Sequence, residues 1–304
     1  IDWNIPAQRL EGFLTQLENN CQIDELRRDI SNQCLRKANS PQGLYTLTVP
    51  TGGGKTLSSL RFALNHSLHH KLDRIIYVIP YTSIIEQNAD VTREVLERAN
   101  EATPWVLEHH SNLEPECQTW RTKLTAQNWE APVIFTTMVQ FLEALFGGGT
   151  RGARRLHNIA NSVLIFDEIQ SIPMNCVHLF CNALQFFVDH TKTTAILCTA
   201  TQPILDKLKN AHKGQLSFSK EREIASDVTD LFEKLRRVNI VNNTRPEMWN
   251  VEQLSSFALQ QLSEKGNCLA IVNTKKWAKQ LYISCERALN DGGIFHLSTS
   301  MCPA

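Results

Sequence analysis

The sequence predicts an α/β fold, a parallel sheet flanked by helices. Three observations carry that expectation. Short apolar, β-branched runs alternate with helix-patterned stretches from Leu44 to Leu197. Strand, helix, strand, helix at this spacing implies parallel βαβ units rather than hairpins. The first run also opens into a Gly-rich loop and then a helix, the layout of a phosphate-binding loop.

Residues 1–40 are polar and helix-prone, with Ile23, Leu26 and Ile30 on one face and Cys34 and Leu35 continuing it. A packing helix is the simpler reading. An adenine-contacting segment is the functional one, because the phosphate loop follows. Leu44 to Val49 reads as a buried strand that Pro50 stops. Thr51, Gly52, Gly53 and Gly54 come next, then Lys55, Thr56 and a helix from Leu57 to about His70. Glycines let successive backbone N–H groups face one anion. The helix N-terminus adds partial positive charge. The Lys55 ammonium suits β- and γ-phosphates, and the Thr56 hydroxyl suits Mg²⁺. Val49 departs from the pattern, which wants Gly or a small residue there.

Arg74–Pro80 is the second strand, and a helix starts at Tyr81-Thr82-Ser83, with Thr82 or Ser83 as cap and Glu86 near the third helical position. Ligands of such sheets bind at the carboxyl ends of strands. Tyr81 to Ser83 therefore sit where a nucleic-acid phosphate would lie, although from these residues alone plain helix capping is the better reading. Trp105–Leu107 is a short strand. His109 and His110 would point to opposite faces, and His66, His69 and His70 read as a solvated helix end rather than a metal site. Pro132–Thr137 is a strand, followed by a helix over Met138–Phe146.

Residues 147–155 read as a flexible loop. Gly147-x-Gly149-x-x-Gly152 matches a dinucleotide fingerprint only formally, because it follows a helix. Arg151, Arg154 and Arg155 read as a solvated face. Ser162–Phe166 is a strand ending in Asp167-Glu168-Ile169-Gln170. Beside a phosphate loop, Asp167 would hold the metal and Glu168 would polarise the attacking water.

Residues 173–190 are an amphipathic helix, Thr194–Leu197 a strand, and Thr199-Ala200-Thr201 closes it. Residues 203–235 are polar and helical, suiting a linker region. A second αβ pattern begins at Arg237, with strands expected over Arg237–Val241, Asn267–Val272 and Ile294–Leu297 and helices over Val251–Leu262 and Lys275–Asn290. The expected division is 1–40 helical segment, 41–215 nucleotide-binding domain, 216–236 linker and 237–304 partial second domain.

Composition narrows the function classes. Lys+Arg and Asp+Glu balance at 31 each, so any nucleic-acid surface is a local groove rather than a bulk charge. No apolar run reaches the length of a membrane span. Nine cysteines, with no C-x-x-C and no obvious pairing, read as buried thiols in a reducing cytoplasm. The dipeptide His-Asp, core of a common phosphohydrolase site, is absent. The start, IDWNIPAQ, lacks Met and any signal pattern, and reads as a cut from something longer.

The ordered set PTGGGKT, PYTSIIEQ, FTT, DEIQ, TAT and AIVNTKKWAK resembles the first motifs of a superfamily-2 helicase with two RecA-like domains. The wording of LTVPTGGGKT, LEHHSN, LIFDEIQSIP, TATQP and HLSTSMCP is similar to one family, the CRISPR-associated type I helicase-nuclease, the third Cas protein. That resemblance implies a RecA-like first domain and the beginning of a second RecA-like domain. It also implies ATP and Mg²⁺ as cofactors and translocation along single-stranded DNA during antiviral defence. Partners implied are the Cascade-type target-recognition complex or an inhibitor protein. Residue by residue, Thr51, Gly52, Gly53, Gly54, Lys55 and Thr56 would hold phosphate and Mg²⁺, and Asp167 and Glu168 metal and water. Gln170, Thr199 and Thr201 would couple hydrolysis to strand movement. Tyr81, Thr82, Ser83, Thr136, Thr137 and Thr274 would touch the DNA backbone. DEIQ departs from the commoner DEAD and DEAH wording in its last two positions, Ile169 and Gln170. The resemblance also makes this chain a fragment, without the family's metal-dependent nuclease and late helicase motifs. The rivals are another helicase-type ATPase acting on RNA or duplex DNA, and a non-hydrolysing binding module.

Overall fold

The computed structural model describes residues 1–304 except 19, 100, 102–103, 111–127, 149, 290–292, 299–300 and 302–304, and only the backbone of Ser83, Thr150, Arg151 and Lys220. Ser111 and Asn112 of LEHHSN, half of HLSTSMCP, Gly149, Cys117 and Cys302 therefore lie outside the described residues. The chain divides into two compact units, Ile1–Arg237 and Val238–Ala304.

The first unit is an α/β RecA-like fold. Its strands are β1 (Leu44–Thr48), β2 (Arg74–Ile79), β3 (Val106–His109), β4 (Val133–Thr137), β5 (Ser162–Asp167) and β6 (Thr194–Thr199). They form one six-stranded sheet in the order β1-β6-β5-β2-β4-β3. Every pairing is parallel, for example Leu44 opposite Ala195 and Ile75 opposite Val133. The strands other than edge strand β3 are buried on both faces, which is why those runs read as nearly continuously apolar. Alternate residues feed two cores. Tyr45, Leu47, Ile75, Tyr77, Phe135 and Ile165 face one side. Ile76, Val78, Ile134, Leu164, Phe166 and Leu197 face the other.

Four helices lie with the first core: α1 (Asn4–Gln16), α2 (Gln22–Lys37), α3 (Lys55–His70) and α4 (Thr82–Leu96). The second core is covered by α5 (Met138–Phe146), α6 (Thr150–Ile159) and α7 (Val177–His190), the last entered through a short 3₁₀ turn at Met174–Cys176. Ile30 and Cys34 of α2 are fully buried, so the expected packing face exists.

Four local expectations are corrected. α4 begins at Thr82, with Tyr81 as its N-cap and no side-chain cap bond, so neither Thr82 nor Ser83 is the cap. Residues 147–155 are not one loop: a helix starts at Thr150, and Arg155 on it is buried. Its guanidinium donates to Gln140 Oε1 at 3.2 Å and to His109 Nε2 at 3.0 Å, and lies over the Trp129 ring. His66 is not solvated but fully buried and stacked on Phe62. Its Nδ1–H donates to Ala38 O at 2.7 Å, and its Nε2 accepts from Thr194 Oγ1 at 2.8 Å. Cys34, Cys181, Cys198 and Cys285 are buried thiols as expected, whereas Cys21 and Cys268 are exposed.

The stretch expected as a linker packs into the first unit. Leu205, Leu216, Ile224, Leu231 and Leu235 are buried, the last two on or just after a short helix α8 (Val228–Lys234). Ile224 N–H donates to Thr46 O at 2.9 Å, covering the exposed edge of β1.

The second unit holds two helices, α9 (Val251–Lys265) and α10 (Lys275–Leu289). Asn250 and Gln253 form a capping box at the start of α9, and Gly266 ends it at φ 81°. Of the strands expected from Arg237 onward, none forms among the described residues. Ile240, Ile271 and Phe295 are 84–90% exposed. A strand exists only in a ladder that satisfies its N–H and C=O groups, and no ladder of that kind runs through these stretches among the described residues.

Candidate nucleotide site

Val49 leaves β1 fully buried, and its N–H donates to Thr199 O at 3.1 Å, tying the start of the loop to the end of β6. Gly53 N–H closes a turn on Pro50 O at 3.1 Å. A methyl group on Gly53 would collide with Val49 Cγ1. The bulkier residue that departs from the usual pattern is thus accommodated by a glycine four positions on. Gly52 and Gly54 sit at φ 81° and 79°, the left-handed region that favours glycine.

Gly54 is the N-cap of α3 and offers no side-chain cap. The first-turn N–H groups of α3, with no carbonyl behind them, remain donors aimed at the mouth of the loop. From the flank, Arg27 of α2 donates Nε–H to Gly52 O at 2.9 Å and pairs with Asp24 at 3.1 Å. The beginning of α3 also borders a cavity of about 200 Å³ between α1 and α2, lined by Leu14, Leu17, Arg27, Leu57 and Arg61.

The acidic end of β5 meets this loop. Lys55 Nζ pairs with Glu168 Oε1 at 2.7 Å. Gln170 Nε2 donates to Glu168 Oε2 at 2.6 Å, and Thr199 Oγ1 donates to Gln170 Oε1 at 2.6 Å. Thr201 N–H then donates to Thr199 Oγ1 at 3.0 Å. One hydrogen-bonded chain runs from Lys55 of the Gly-rich loop, through Glu168 and Gln170, to the end of β6. Gln170 is its central link.

Glu168 adopts φ 50°, ψ 48°, left-handed backbone in a residue with a side chain, which this fold holds against its preference. Partial burial pushes its carboxyl up, but hydrogen bonds from Lys55 and Gln170 outweigh that and leave it below the usual value. Asp167 goes the other way. Burial raises it, against the pull of Lys55 and with the repulsion of Glu168. Its Oδ1 accepts from Glu168 N–H at 3.1 Å. Thr56 Oγ1 lies 3.3 Å from Asn88 Oδ1 on α4, a neighbour the sequence did not single out.

A half-buried carboxylate, Asp167, and a threonine hydroxyl, Thr56, are hard oxygen donors, which fits Mg²⁺ held jointly by protein and phosphates. Among the described residues no cluster of three or more His, Cys, Asp or Glu could hold a metal.

The residues expected on DNA divide. β2 and β4 are neighbours with Ile79 opposite Thr137, so Tyr81, Thr82, Thr136 and Thr137 share one carboxyl edge. Tyr81 is 60% exposed there. Thr136 is fully buried and donates to His109 O at 3.0 Å, so its hydroxyl is already engaged. Thr137 caps α5, accepting from Gln140 N–H at 3.1 Å. The Ser83 side chain lies outside the described residues. Thr274 belongs to the second unit, where it is exposed and accepts from Trp277 N–H at 3.2 Å at the start of α10.

The DEAD/DEAH box helicase family model matches residues 28–211. The chain belongs to the DEAD/DEAH box helicase family. It is 26% identical over 239 residues to the CRISPR-associated nuclease/helicase Cas3 of Haloferax volcanii, covering 66% of this chain and 25% of that protein. The chain thus spans about a quarter of that relative's length. The structure of T. fusca Cas3-ADP is similar with a TM-score of 0.53 at 18% identity, covering 64% of this chain and 22% of the other. T. fusca Cas3-AMPPNP gives the same values. At that identity the structural likeness shows a shared fold. Among the described residues, no helix is long and apolar enough to cross a membrane.

Proposed function

We propose that this helicase-family chain is the motor part of a Cas3-type enzyme, hydrolysing ATP to move along single-stranded DNA in type I CRISPR interference. The observation that carries this reading is the Lys55–Glu168–Gln170–Thr199 chain at the mouth of a Gly-rich loop. It joins a phosphate-binding cation, a proton acceptor and the end of β6 in one network. Similarity to Cas3 of Haloferax volcanii supports the CRISPR setting.

In this reading the loop amides and Lys55 bind the triphosphate, and the cavity beside Arg27 and Leu57 takes the base. Thr56 and Asp167 would hold Mg²⁺, which supplies charge neutralisation across the β- and γ-phosphates. Phosphate competes with Glu168 for the Lys55 ammonium, and a Glu168 carboxylate freed in this way accepts a proton from water. The water oxygen bonds to the γ-phosphorus as the bond to the β-phosphate oxygen breaks, leaving ADP and inorganic phosphate. Gln170 then reports the change to Thr199 and Thr201. Tyr81 and Thr82, on the open strand edge, are the groups of the first unit best placed for a DNA phosphate, and Thr274 is its counterpart candidate in the second.

ATP turnover measured with and without single-stranded DNA, single-stranded RNA and duplex DNA tests this. Stimulation confined to single-stranded DNA is expected. Stimulation by RNA alone would move the chain to another helicase class. DNA binding with no hydrolysis would make it a binding module, docked by a Cascade-type complex or an inhibitor.

A further inference from the structure

Arg237 closes the first unit and stands on the phosphate loop. The segment leading to it is pinned along its length. Glu223 accepts from Thr48 N–H at 2.9 Å and from the Thr48 hydroxyl at 2.7 Å. Leu235 then reaches the loop, its Cδ1 3.4 Å from where a methyl group on Gly53 would be. Arg237 follows and lays its guanidinium over Gly52. A methyl group there would meet Nη2 at 2.9 Å and both Cζ and Nη1 at 3.3 Å. Three nearly equal distances place the guanidinium plane flat against the glycine. Gly52 is held to glycine by its positive φ, whereas this contact comes from the far end of a flexible side chain that rests on the loop.

The two arginines flanking Gly52 differ. Arg27 is engaged, by the Gly52 carbonyl and by Asp24. No carboxylate pairs with Arg237 among the described residues, and it is exposed. An unpaired, permanently charged group resting on a loop of aligned N–H donors and a helix N-terminus gains nothing from its immediate surroundings. It gains most when an anion occupies that loop.

We propose that Arg237 is a phosphate-binding residue for the nucleotide, supplied in cis by the first unit's own last segment. A guanidinium offers a planar fork of donors that matches phosphate oxygens. The strap formed by Glu223, Leu235 and Arg237 sets where that fork lies. The proposal rests on the ATP reading given above.

The test is binding of fluorescent ATP and ADP analogues to the full chain and to Arg237→Ala, Arg237→Gln, Arg237→Lys and Lys55→Ala. Arg237→Ala and Arg237→Gln should each weaken the triphosphate analogue on the order of tenfold. Their melting temperatures without nucleotide should stay at the wild-type value, and Arg237→Lys should recover part of the affinity. If Arg237→Ala and Arg237→Gln bind like wild type while Lys55→Ala loses binding, Arg237 only packs on the loop and the proposal falls alone. If Lys55→Ala also binds normally, the nucleotide reading falls and takes this proposal with it.

Discussion

Lys55 and Glu168 form a coupled pair, and their substitutions should separate two kinds of loss. In the proposed reading, Lys55→Ala removes the ammonium that would meet developing charge on the phosphates. Such a contact is worth about 2.7–4 kcal/mol, so turnover should fall on the order of 10²–10³-fold. A variant hydrolysing ATP within a few-fold of wild type would remove Lys55 from the chemistry. Glu168→Gln keeps the shape and the bond to Gln170 but cannot accept the water's proton. It should bind ATP and hydrolyse it slowly. Asp167→Asn should instead weaken the Mg²⁺ dependence of binding, because a metal-facing charge is gone. Equal losses of nucleotide affinity in both would undo that division of labour. These residues were legible in the sequence because strand, glycines, lysine and acids come in a fixed order. Arg27, Asn88 and Arg237 were not, since each reaches the loop from a distant segment and carries no local pattern. Val49 was visible as a departure, but its contact with Gly53 is made only once the loop turns back on Pro50.

At the scale of elements, α3 is both the floor of the loop and a plug for the core, and His66 shows the second role. Its ring is buried between Phe62 and Thr194 with both nitrogens engaged. Burial pushes it down to about 4 from the ordinary 6.5. Below pH 6.5 the unfolded chain takes up a proton that the folded imidazole refuses. Stability is therefore full above that pH and falls as pH drops towards about 4. Two and a half pH units at about 1.36 kcal/mol each put the loss on the order of 3 kcal/mol. His109, pushed to about 4 mainly by burial and then by Arg155, adds to the slope in the same window. Urea unfolding between pH 7 and 4 should show the decline, and His66→Asn should flatten it while lowering stability at pH 7. A His66→Asn curve as steep as wild type would show that other groups set the slope. The helical period of α3 was readable, and its histidines looked solvated because helix length alone does not say how deep the far end sits. Likewise, the six strands were readable as apolar runs, whereas the polar stretch after residue 203 hid the few apolar residues that bind it to β1.

At the scale of the whole chain, the two units differ in how much holds them together. The first closes two cores over a six-stranded sheet and contains every group named at the nucleotide site. The second rests on the contact between α9 and α10, where Leu281, Cys285 and Ser255 are buried, while Leu269, Ile271, Phe295 and Leu297 are more than four-fifths exposed. Stability follows buried apolar area, and units with little of it open first. Amides of α9 and α10 should therefore exchange with solvent well before those of β2, β5 and β6, whose strands occupy the middle of the sheet. Because the strap through Glu223 and Leu235 belongs to the first unit, opening of the second should leave the phosphate loop intact. Nucleotide should then slow exchange in the loop and in residues 223–237 without protecting α9 or α10. Hydrogen exchange read by mass spectrometry, with and without an ATP analogue, resolves both. Simultaneous exchange of the two units, or loss of nucleotide protection at the loop as soon as α9 and α10 open, would show that the first unit does not hold its site alone.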